Sequence, residues 1–202
     1  MTTAEIIEKL ESHRTWVDTT GIDGEKLNLD EVDLRNVNLS QYTLDQSSII
    51  DCILDGTNLQ NKDISSAMLC SSSFKFANLE GSDFCKSNVS YADYTNANIK
   101  FARFADCECI ETVFVKADFS HANLVAALFD DTDFREAILN NADIRLATLE
   151  GVLLKGAQLV GLRGISEAFI KSINIGTMEL PIMLRDEEAR QWLLDQATSK
   201  WK

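Results

Sequence analysis

Cysteine and histidine are the residue types of this sequence best suited to nucleophilic or metal chemistry. The chain has five cysteines and two histidines among 202 residues, and Cys107 and Cys109 have the close spacing of a metal-binding pair. His13 and His121 leave too little for a histidine-based triad or a histidine-rich metal site, and we expect both on the surface. Glycine-rich phosphate-binding loops are absent from the sequence. These residues therefore indicate a protein that is not an enzyme and that holds no cofactor or metal.

The cysteines also bear on the cellular compartment. Glu5 and Glu8 occupy the region where a secretory signal would be basic and then apolar, and no stretch of the sequence approaches the length of a membrane span. An odd number of cysteines in such a chain disfavours a disulfide framework. We therefore expect a cytoplasmic protein whose reduced thiols serve as small apolar side chains.

The net charge of the chain limits the kinds of molecule that it is expected to bind. The formal net charge is −13 at pH 7, which opposes direct binding to nucleic acid phosphates and to anionic membranes. A basic protein partner, or a protein site that normally receives DNA, fits this charge better.

The elements that position these residues follow from a repeat of five. Every fifth residue from 29 to 159 is apolar, and these 27 positions hold thirteen Leu, seven Phe, four Ile and one each of Val, Tyr and Cys. A helix would need spacings of three and four, and an extended strand would need a spacing of two. A spacing of five therefore predicts a chain that turns a corner every five residues.

A second position in each repeat is small. Two residues before the large apolar residue, 21 of the 27 positions hold Ala, Ser, Thr or Cys. Residues two apart on an extended segment point the same way, so both face inward and pack as a column. The residue between them is often Asn or Asp, types whose side chains bond nearby backbone groups in turns. Cys107 and Cys109 both fall on inward positions, which predicts core packing rather than metal binding.

These residues resemble the pentapeptide-repeat family, whose consensus is Ala, then Asp or Asn, then Leu or Phe, then two variable residues. Close matches are Ala77-Asn78-Leu79, Ala97-Asn98-Ile99, Ala117-Asp118-Phe119, Ala122-Asn123-Leu124 and Ala142-Asp143-Ile144. The resemblance implies an all-β solenoid, a right-handed quadrilateral parallel β-helix of nearly seven coils in which residues twenty apart stack. Lys62 departs from the consensus at a small position, so its ammonium would have to reach out of the core.

Helical caps are expected at both ends, because an open solenoid end exposes backbone groups and core side chains. Thr2 and Glu5 form a capping-box pattern before an amphipathic helix over residues 3–17. After the repeat, a second helix is predicted over about residues 187–200, with Asp186 as its N-cap. The predicted organisation is an N-terminal helical cap in 1–24, a β-helix in 25–161 and a C-terminal segment in 162–202.

The second helix has an apolar side that contains Trp192, Leu193 and Trp201. This side either covers the last coil or joins two copies of the chain. The sequence favours a monomer over a homodimer.

Stacking the sequence in steps of twenty sorts the charges onto four faces. One face carries no Lys or Arg and eight outward acids, which are Asp30, Glu31, Asp51, Glu108, Glu111, Asp130, Asp131 and Glu150. Glu111 falls over Asp131 and Asp130 over Glu150, which places like charges about 5 Å apart. Another face carries a column of amides, which we interpret as a structural ladder and which consists of Asn38, Asn58, Asn78 and Asn98 followed by Asp118.

Function is expected on the exterior, because Leu and Phe fill the interior. The first hypothesis is a non-enzymatic scaffold that presents flat β-helix faces, with the eight acids as candidate contacts to a protein partner. The alternative is a DNA mimic, because the family that the chain resembles includes fluoroquinolone-resistance proteins, which are understood to bind DNA gyrase in place of DNA. Those proteins usually act as dimers joined through C-terminal segments, and some need loops that this sequence lacks between residues 27 and 161. The resemblance therefore implies the fold and leaves gyrase as one candidate partner.

Overall fold

A backbone bend at every fifth residue winds the repeat into a four-sided coil. In the computed structural model, which describes residues 1–199, parallel pairing joins residues twenty apart along the rod, from Asn28 with Ser48 to Asp143 with Arg163. The result is an all-β solenoid of about seven turns with a helix at each end. The predicted fold class is confirmed.

The regular elements are short because each side of the coil is only a few residues long. Much of the pairing between coils consists of isolated bridges. In chain order the helices and strands are α1 (Thr3–Asp18), β1 (Asn28–Asp30), β2 (Ser48–Ile50), β3 (Glu108–Ile110), β4 (Leu128–Asp130), β5 (Thr148–Glu150), β6 (Val152–Leu153), β7 (Phe169–Ile170), β8 (Ser172–Asn174), β9 (Met183–Arg185) and α2 (Asp186–Thr198).

Asparagine and aspartate side chains hold the corners of the coil. The Oδ1 atom of Asp63 accepts the backbone N–H of Ser65 at 3.0 Å, and Asp93 accepts that of Thr95 at 2.9 Å. The same bond recurs along the rod and fixes the chain in its bend. The turn role predicted for the middle position is confirmed.

Large side chains stack along the axis of the rod. The ring centroids of Phe114 and Phe134 are 5.1 Å apart, with the rings inclined by 16°, and both side chains are buried. Phe74 and Tyr94 stack in the same column with centroids 4.7 Å apart. This stacking confirms the packed column that the repeat predicts.

The close cysteine pair lies in this core. Cys107 and Cys109 are buried, as their inward positions predict, and burial raises the pKa of both thiols. The Cys107 thiol donates to the carbonyl oxygen of Phe84 at 2.7 Å. Among residues 1–199, no group of three or more His, Cys, Asp or Glu side chains could hold a metal ion. The pair therefore contributes to packing.

Tyr94 carries a polar group that this core does not satisfy. Its hydroxyl is the one buried side-chain nitrogen or oxygen of the described residues without a hydrogen bond. Because an unpaired buried hydroxyl costs about 1–3 kcal/mol, we expect Tyr94→Phe to raise the free energy of unfolding by about 1 kcal/mol. Urea unfolding followed by circular dichroism measures the change. Tyr91→Phe, at an exposed ring, is the matched control and should leave stability unchanged. A Tyr94→Phe protein less stable than wild type would contradict the prediction.

α1 covers the N-terminal end of the rod. The predicted capping box is present, because Thr2 Oγ1 accepts the backbone N–H of Glu5 at 3.3 Å and Glu5 Oε2 accepts the backbone N–H of Thr2 at 2.7 Å. Ile6 and Leu10 of this helix are buried against the first coil. The cap is thus an apolar helix face laid over the open core.

His13 of α1 is fully buried, so its prediction as a surface residue is wrong. Its Nδ1 accepts the backbone N–H of Leu27 at 3.0 Å, and its Nε2 lies 3.1 Å from the carbonyl oxygen of Asp45. Because Nδ1 is an acceptor, the proton of the neutral ring is on Nε2, which donates to Asp45. The side chain therefore joins the cap to the first coil. His121 is exposed as predicted and stacks on Phe101 with centroids 5.1 Å apart.

Lys62 extends out of the core as expected. Its Nζ donates to the carbonyl oxygens of Ser40 at 2.7 Å and Tyr42 at 2.8 Å. Desolvation lowers the pKa of this ammonium. The side chain thus links two successive coils instead of filling the centre.

The sheets continue past the fivefold repeat with a shifted register. β7 pairs with β5 through Thr148 and Phe169, which are 21 residues apart instead of twenty. A turn in which the N–H of Ala168 bonds the carbonyl of Gly164 at 3.0 Å accommodates the extra residue. β8 then pairs with β6, and β9 returns antiparallel along β8. The rod is therefore longer than the repeat that defines it.

α2 packs on the C-terminal end of the rod. The guanidinium of Arg190 donates to the carbonyl of Ala168 at 3.1 Å and to the carbonyl of Ile165. The N–H of Gly161 bonds the carbonyl of Ala197 at 2.9 Å. Three backbone groups near the end of the rod are thus hydrogen-bonded to the helix.

The predicted N-cap of α2 is wrong. Arg185 occupies that position, and Asp186 is the first helical residue. The reason is that the β8–β9 ladder runs directly into the helix, so the N–H of Asp186 still bonds the carbonyl of Lys171 at 3.1 Å. Of the residues described, neither helix has the length and apolarity needed to cross a bilayer.

Candidate interaction surface

The acidic face is the outward side of one column of stacked pentapeptides. It consists of residues 27–31, 47–51, 67–71, 87–91, 107–111, 127–131 and 147–151. β1 and β2 lie at its N-terminal end, and β3, β4 and β5 form a parallel sheet at its C-terminal end. The two inward residues of each pentapeptide anchor the backbone, so the other three side chains project from a fixed frame.

The eight predicted acids fall into two groups on this face. The N-terminal acids are Asp30, Glu31 and Asp51, and the C-terminal acids are Glu108, Glu111, Asp130, Asp131 and Glu150. Two pentapeptides without an acid, 67–71 and 87–91, lie between them. At about 4.8 Å per coil, the two groups stand about 14 Å apart. The structure therefore does not join the eight acids into one continuous row.

Four of the five C-terminal acids stack on one another in register, whereas Glu108 lies beside Leu128. Asp130 pairs with Glu150 across β4 and β5, as predicted. The N–H of Glu111 bonds the carbonyl of Asp130, and the N–H of Asp131 bonds that of Glu150, each at 2.8 Å, which places Glu111 over Asp131. Carboxylates on adjacent coils are about 5 Å apart, and each such pair repels by about 0.8 kcal/mol in a water-like dielectric.

One base lies on this face, contrary to the sequence prediction. Lys171 Nζ is 2.6 Å from Glu150 Oε2. The shift to a spacing of 21 residues carries β7 onto the same sheet, and Lys171 directly follows β7. At the other side of the group, Glu108 Oε2 accepts the Asn88 amide at 2.6 Å. Among the described residues, Glu150 is the one member of the C-terminal acids that forms an ion pair.

The neighbouring face is formed by the next pentapeptide of each coil, from residues 32–36 in the first coil to 132–136 in the sixth, and many of its charges are paired within it. Arg35 pairs with Asp33 at 2.6 Å, and Arg135 pairs with Asp133 at 2.6 Å. The hydrogen bond from Arg35 lowers the pKa of Asp33 to about 2. Paired charges of this kind are already satisfied, so the acidic face is the stronger attractor for a basic partner.

The three middle members of the amide column form the ladder that the sequence predicts, whereas Asn38 and Asp118 at its ends bond other groups. The Asn78 amide donates to Asn58 Oδ1 at 3.2 Å, and the Asn98 amide donates to Asn78 Oδ1 at 3.1 Å. These side chains bond each other along the rod and have little hydrogen-bonding capacity left for a partner.

The three predicted contact residues of the C-terminal helix differ in their burial and surroundings. Leu193 is buried and contacts the end of the core near Phe134 and Leu154. Trp192 is half-buried and lies along a groove beside Leu184. Trp201 lies outside the described residues.

Comparison with known proteins supports the repeat. A family model described as Pentapeptide repeats matches in eight copies over residues 28–61, 50–84, 92–131, 112–151 and 127–161. No match was found among curated protein sequences.

Solved structures resemble the rod at low sequence identity. HetL, a pentapeptide repeat protein involved in heterocyst differentiation regulation from the cyanobacterium Nostoc sp. strain PCC 7120, is 22% identical with a TM-score of 0.56, and the match covers 68% of this chain and 62% of HetL. The chain thus spans less than two thirds of the length of HetL. QnrB1, a plasmid-mediated fluoroquinolone resistance protein, is 18% identical with a TM-score of 0.36, over 71% of this chain and 77% of QnrB1. A pentapeptide repeat protein from the Arabidopsis thaliana thylakoid lumen is 17% identical with a TM-score of 0.41, and the match covers 75% of this chain and 90% of that protein.

Proposed function

The chain belongs to the pentapeptide-repeat family, and we propose that it acts as a non-enzymatic scaffold whose acidic face binds a basic surface of a protein partner. The contact is centred on the C-terminal acids. One observation carries this proposal, which is that four of these five carboxylates form no ion pair among the described residues although they lie on, or directly after, the paired strands β3 and β4. Stacked aromatic and aliphatic side chains fill the core that the described residues form, which leaves catalysis little room there.

The stacking of the carboxylates favours a partner with several Lys or Arg side chains. Repulsion between neighbouring acids is relieved when cations lie between them, so part of the binding energy is stored in the unbound rod. The sheet also fixes the spacing of the carboxylates at about 4.8 Å along the rod, which reduces the ordering cost of a multipoint contact. Such binding should weaken with rising salt.

A DNA mimic is the second candidate. Rows of carboxylates on a rigid rod favour it, since they could occupy a site built for phosphates. The break of about 14 Å between the two groups of acids opposes it, because a DNA backbone presents its charges without interruption. The charge pattern therefore fits a compact basic patch better than a long DNA-binding groove such as that of gyrase.

A charge-reversal variant tests the proposed contact. Glu111→Lys, Asp130→Lys and Asp131→Lys together should reduce capture of the partner from a lysate of the source cells by more than about tenfold, because each change replaces an attraction by a repulsion. Affinity capture with quantitative mass spectrometry measures the loss. Circular dichroism checks that the variant retains its fold, since these side chains lie on the surface.

The matched control reverses the N-terminal acids. Asp30→Lys, Glu31→Lys and Asp51→Lys change the net charge equally on the same face, so a general charge effect would weaken both variants alike. We expect this control to retain the partner. Equal loss in the two variants, or no loss in either, refutes a contact centred on the C-terminal acids. Inhibition of supercoiling by purified DNA gyrase, abolished by the first variant, would favour the DNA mimic instead.

A further inference from the structure

Among residues 1–199, the C-terminal end of the rod carries a sheet edge that no other strand pairs with. β9 is the outer strand of the sheet β6–β8–β9. The pairs Ile175–Ile182 and Lys171–Asp186 are hydrogen-bonded, so Leu184 also directs its backbone groups toward β8. By the alternation of an antiparallel ladder, Met183 and Arg185 direct theirs away from it. Both residues are exposed, which leaves a short template for a further strand.

A groove runs between α2 and the face of this sheet that carries the Leu184 side chain of β9. Its volume is about 550 Å³, and its apolar lining comes from Ile175, Leu184 and Trp192, each half-buried. The hairpin that precedes β9 adds exposed apolar side chains, of which Leu180 is the most exposed at 77%. The groove can therefore receive an apolar side chain from a strand laid along β9.

Acidic residues line the helix side of the groove. Glu187, Glu188 and Asp195 all border it. Glu187 lies 3.5 Å from Arg190, whereas Glu188 forms no ion pair within residues 1–199. α2 as a whole has four acidic residues and one arginine. A second copy would bring an equally acidic helix to the same place, so the charge favours a basic occupant over self-association.

We propose that β9 and this groove bind an extended basic segment of another protein by adding it to the sheet. The backbone of the segment pairs with Met183 and Arg185, one apolar side chain enters the groove, and flanking Lys or Arg side chains meet Glu188 and Asp195. This site is distinct from the acidic face and does not depend on it. It gives the rod two separate docking surfaces, one on a side and one at an end.

A synthetic probe tests the site on the full chain. The probe is a blocked, dye-labelled peptide with the central sequence Lys-Thr-Val-Thr-Lys. Because alternate residues of a strand point to the same side, the valine and both lysines face the groove. Fluorescence anisotropy should give saturable binding that weakens by about tenfold or more when glutamate replaces the lysines. It should weaken similarly in Met183→Pro, because proline removes the edge N–H and is tolerated on an edge strand. Met183→Thr keeps the N–H and should bind within about threefold of wild type.

A matched pair of charge-reversal variants completes the test. Glu188→Lys should weaken probe binding by about tenfold, whereas Glu25→Lys, an exposed acid at the opposite end of the rod, should not. The proposal is overturned if no binding is seen at about 1 mM probe, or if Met183→Pro binds as well as Met183→Thr. It is also overturned if sedimentation shows a wild-type dimer that Met183→Pro dissociates, since the edge would then serve a second copy.

Discussion

Phe114→Ala should lower the free energy of unfolding by about 4 kcal/mol. Phe114 has no exposed surface and stacks between Tyr94 and Phe134, each at 5.1 Å between centroids. Phe104 and Phe119 contact it edge-on, with Phe119 at 4.8 Å. Removing the ring leaves a cavity that these neighbours cannot close, because each is held in register by its own coil. Urea unfolding followed by circular dichroism measures the loss.

The location of Phe114 in the middle of the rod adds a second expectation. A solenoid is stabilised by contacts between neighbouring coils, so a defect in a central coil weakens the link between the two halves. We expect the unfolding transition to broaden or to split. Phe76→Ala is the control, because Phe76 lies at a corner with 66% of its surface exposed, and its loss should change stability by less than about 0.5 kcal/mol. Equal destabilisation by the two changes would show that the column is not the main source of stability.

The rod could be predicted from the sequence because its signal is periodic and local. Each pentapeptide has one large residue that fills the core, one small inward residue and one residue that holds the corner. This order is repeated without insertion. The period of five predicts the corners, and the four-sided coil implied by the family resemblance adds the spacing of twenty, which stacks Phe114 on Phe134 and Asp130 on Glu150. Lys62 could also be predicted, since a charged side chain at an inward position has no stable alternative to reaching outward.

The ends could not be predicted in the same way. The register shifts by one residue after Gly164 because of a turn without a repeat signature, and that shift alone brings Lys171 to Glu150. The number of acids on the face was therefore predictable, whereas the neutralisation of one of them was not. The edge strand β9 and its groove likewise depend on contacts between segments that have no periodicity.

His13 is the clearest case of a residue whose sequence context misleads. A single histidine in an amphipathic helix gives no sign that both ring nitrogens are bonded to the first coil. At neutral pH, His13→Ala should lower the free energy of unfolding by about 3 kcal/mol, because it leaves the N–H of Leu27 and the carbonyl of Asp45 without partners and opens a cavity beneath the cap. His13→Gln is the matched variant, since an amide can accept from the first group and donate to the second without titrating near neutral pH.

The dependence on pH distinguishes these contacts from simple packing. Burial lowers the pKa of His13 from the value of 6.5 that the unfolded chain retains, and the protonated ring could no longer accept the N–H of Leu27. The stability that the neutral ring provides is therefore complete above pH 6.5 and is lost as the pH falls from there toward the lowered folded pKa, by at most about 1.4 kcal/mol per pH unit. The difference in unfolding free energy between wild type and His13→Gln should move in favour of the variant from about pH 7.5 to about pH 5.5. Urea unfolding at the two pH values measures this, and Trp16, whose ring stacks on His13 at 5.8 Å, contributes a fluorescence signal from the cap. If the difference stays constant, the pKa of His13 is the same in the folded and unfolded states. Its two hydrogen bonds would then stabilise the cap without making it sensitive to acid.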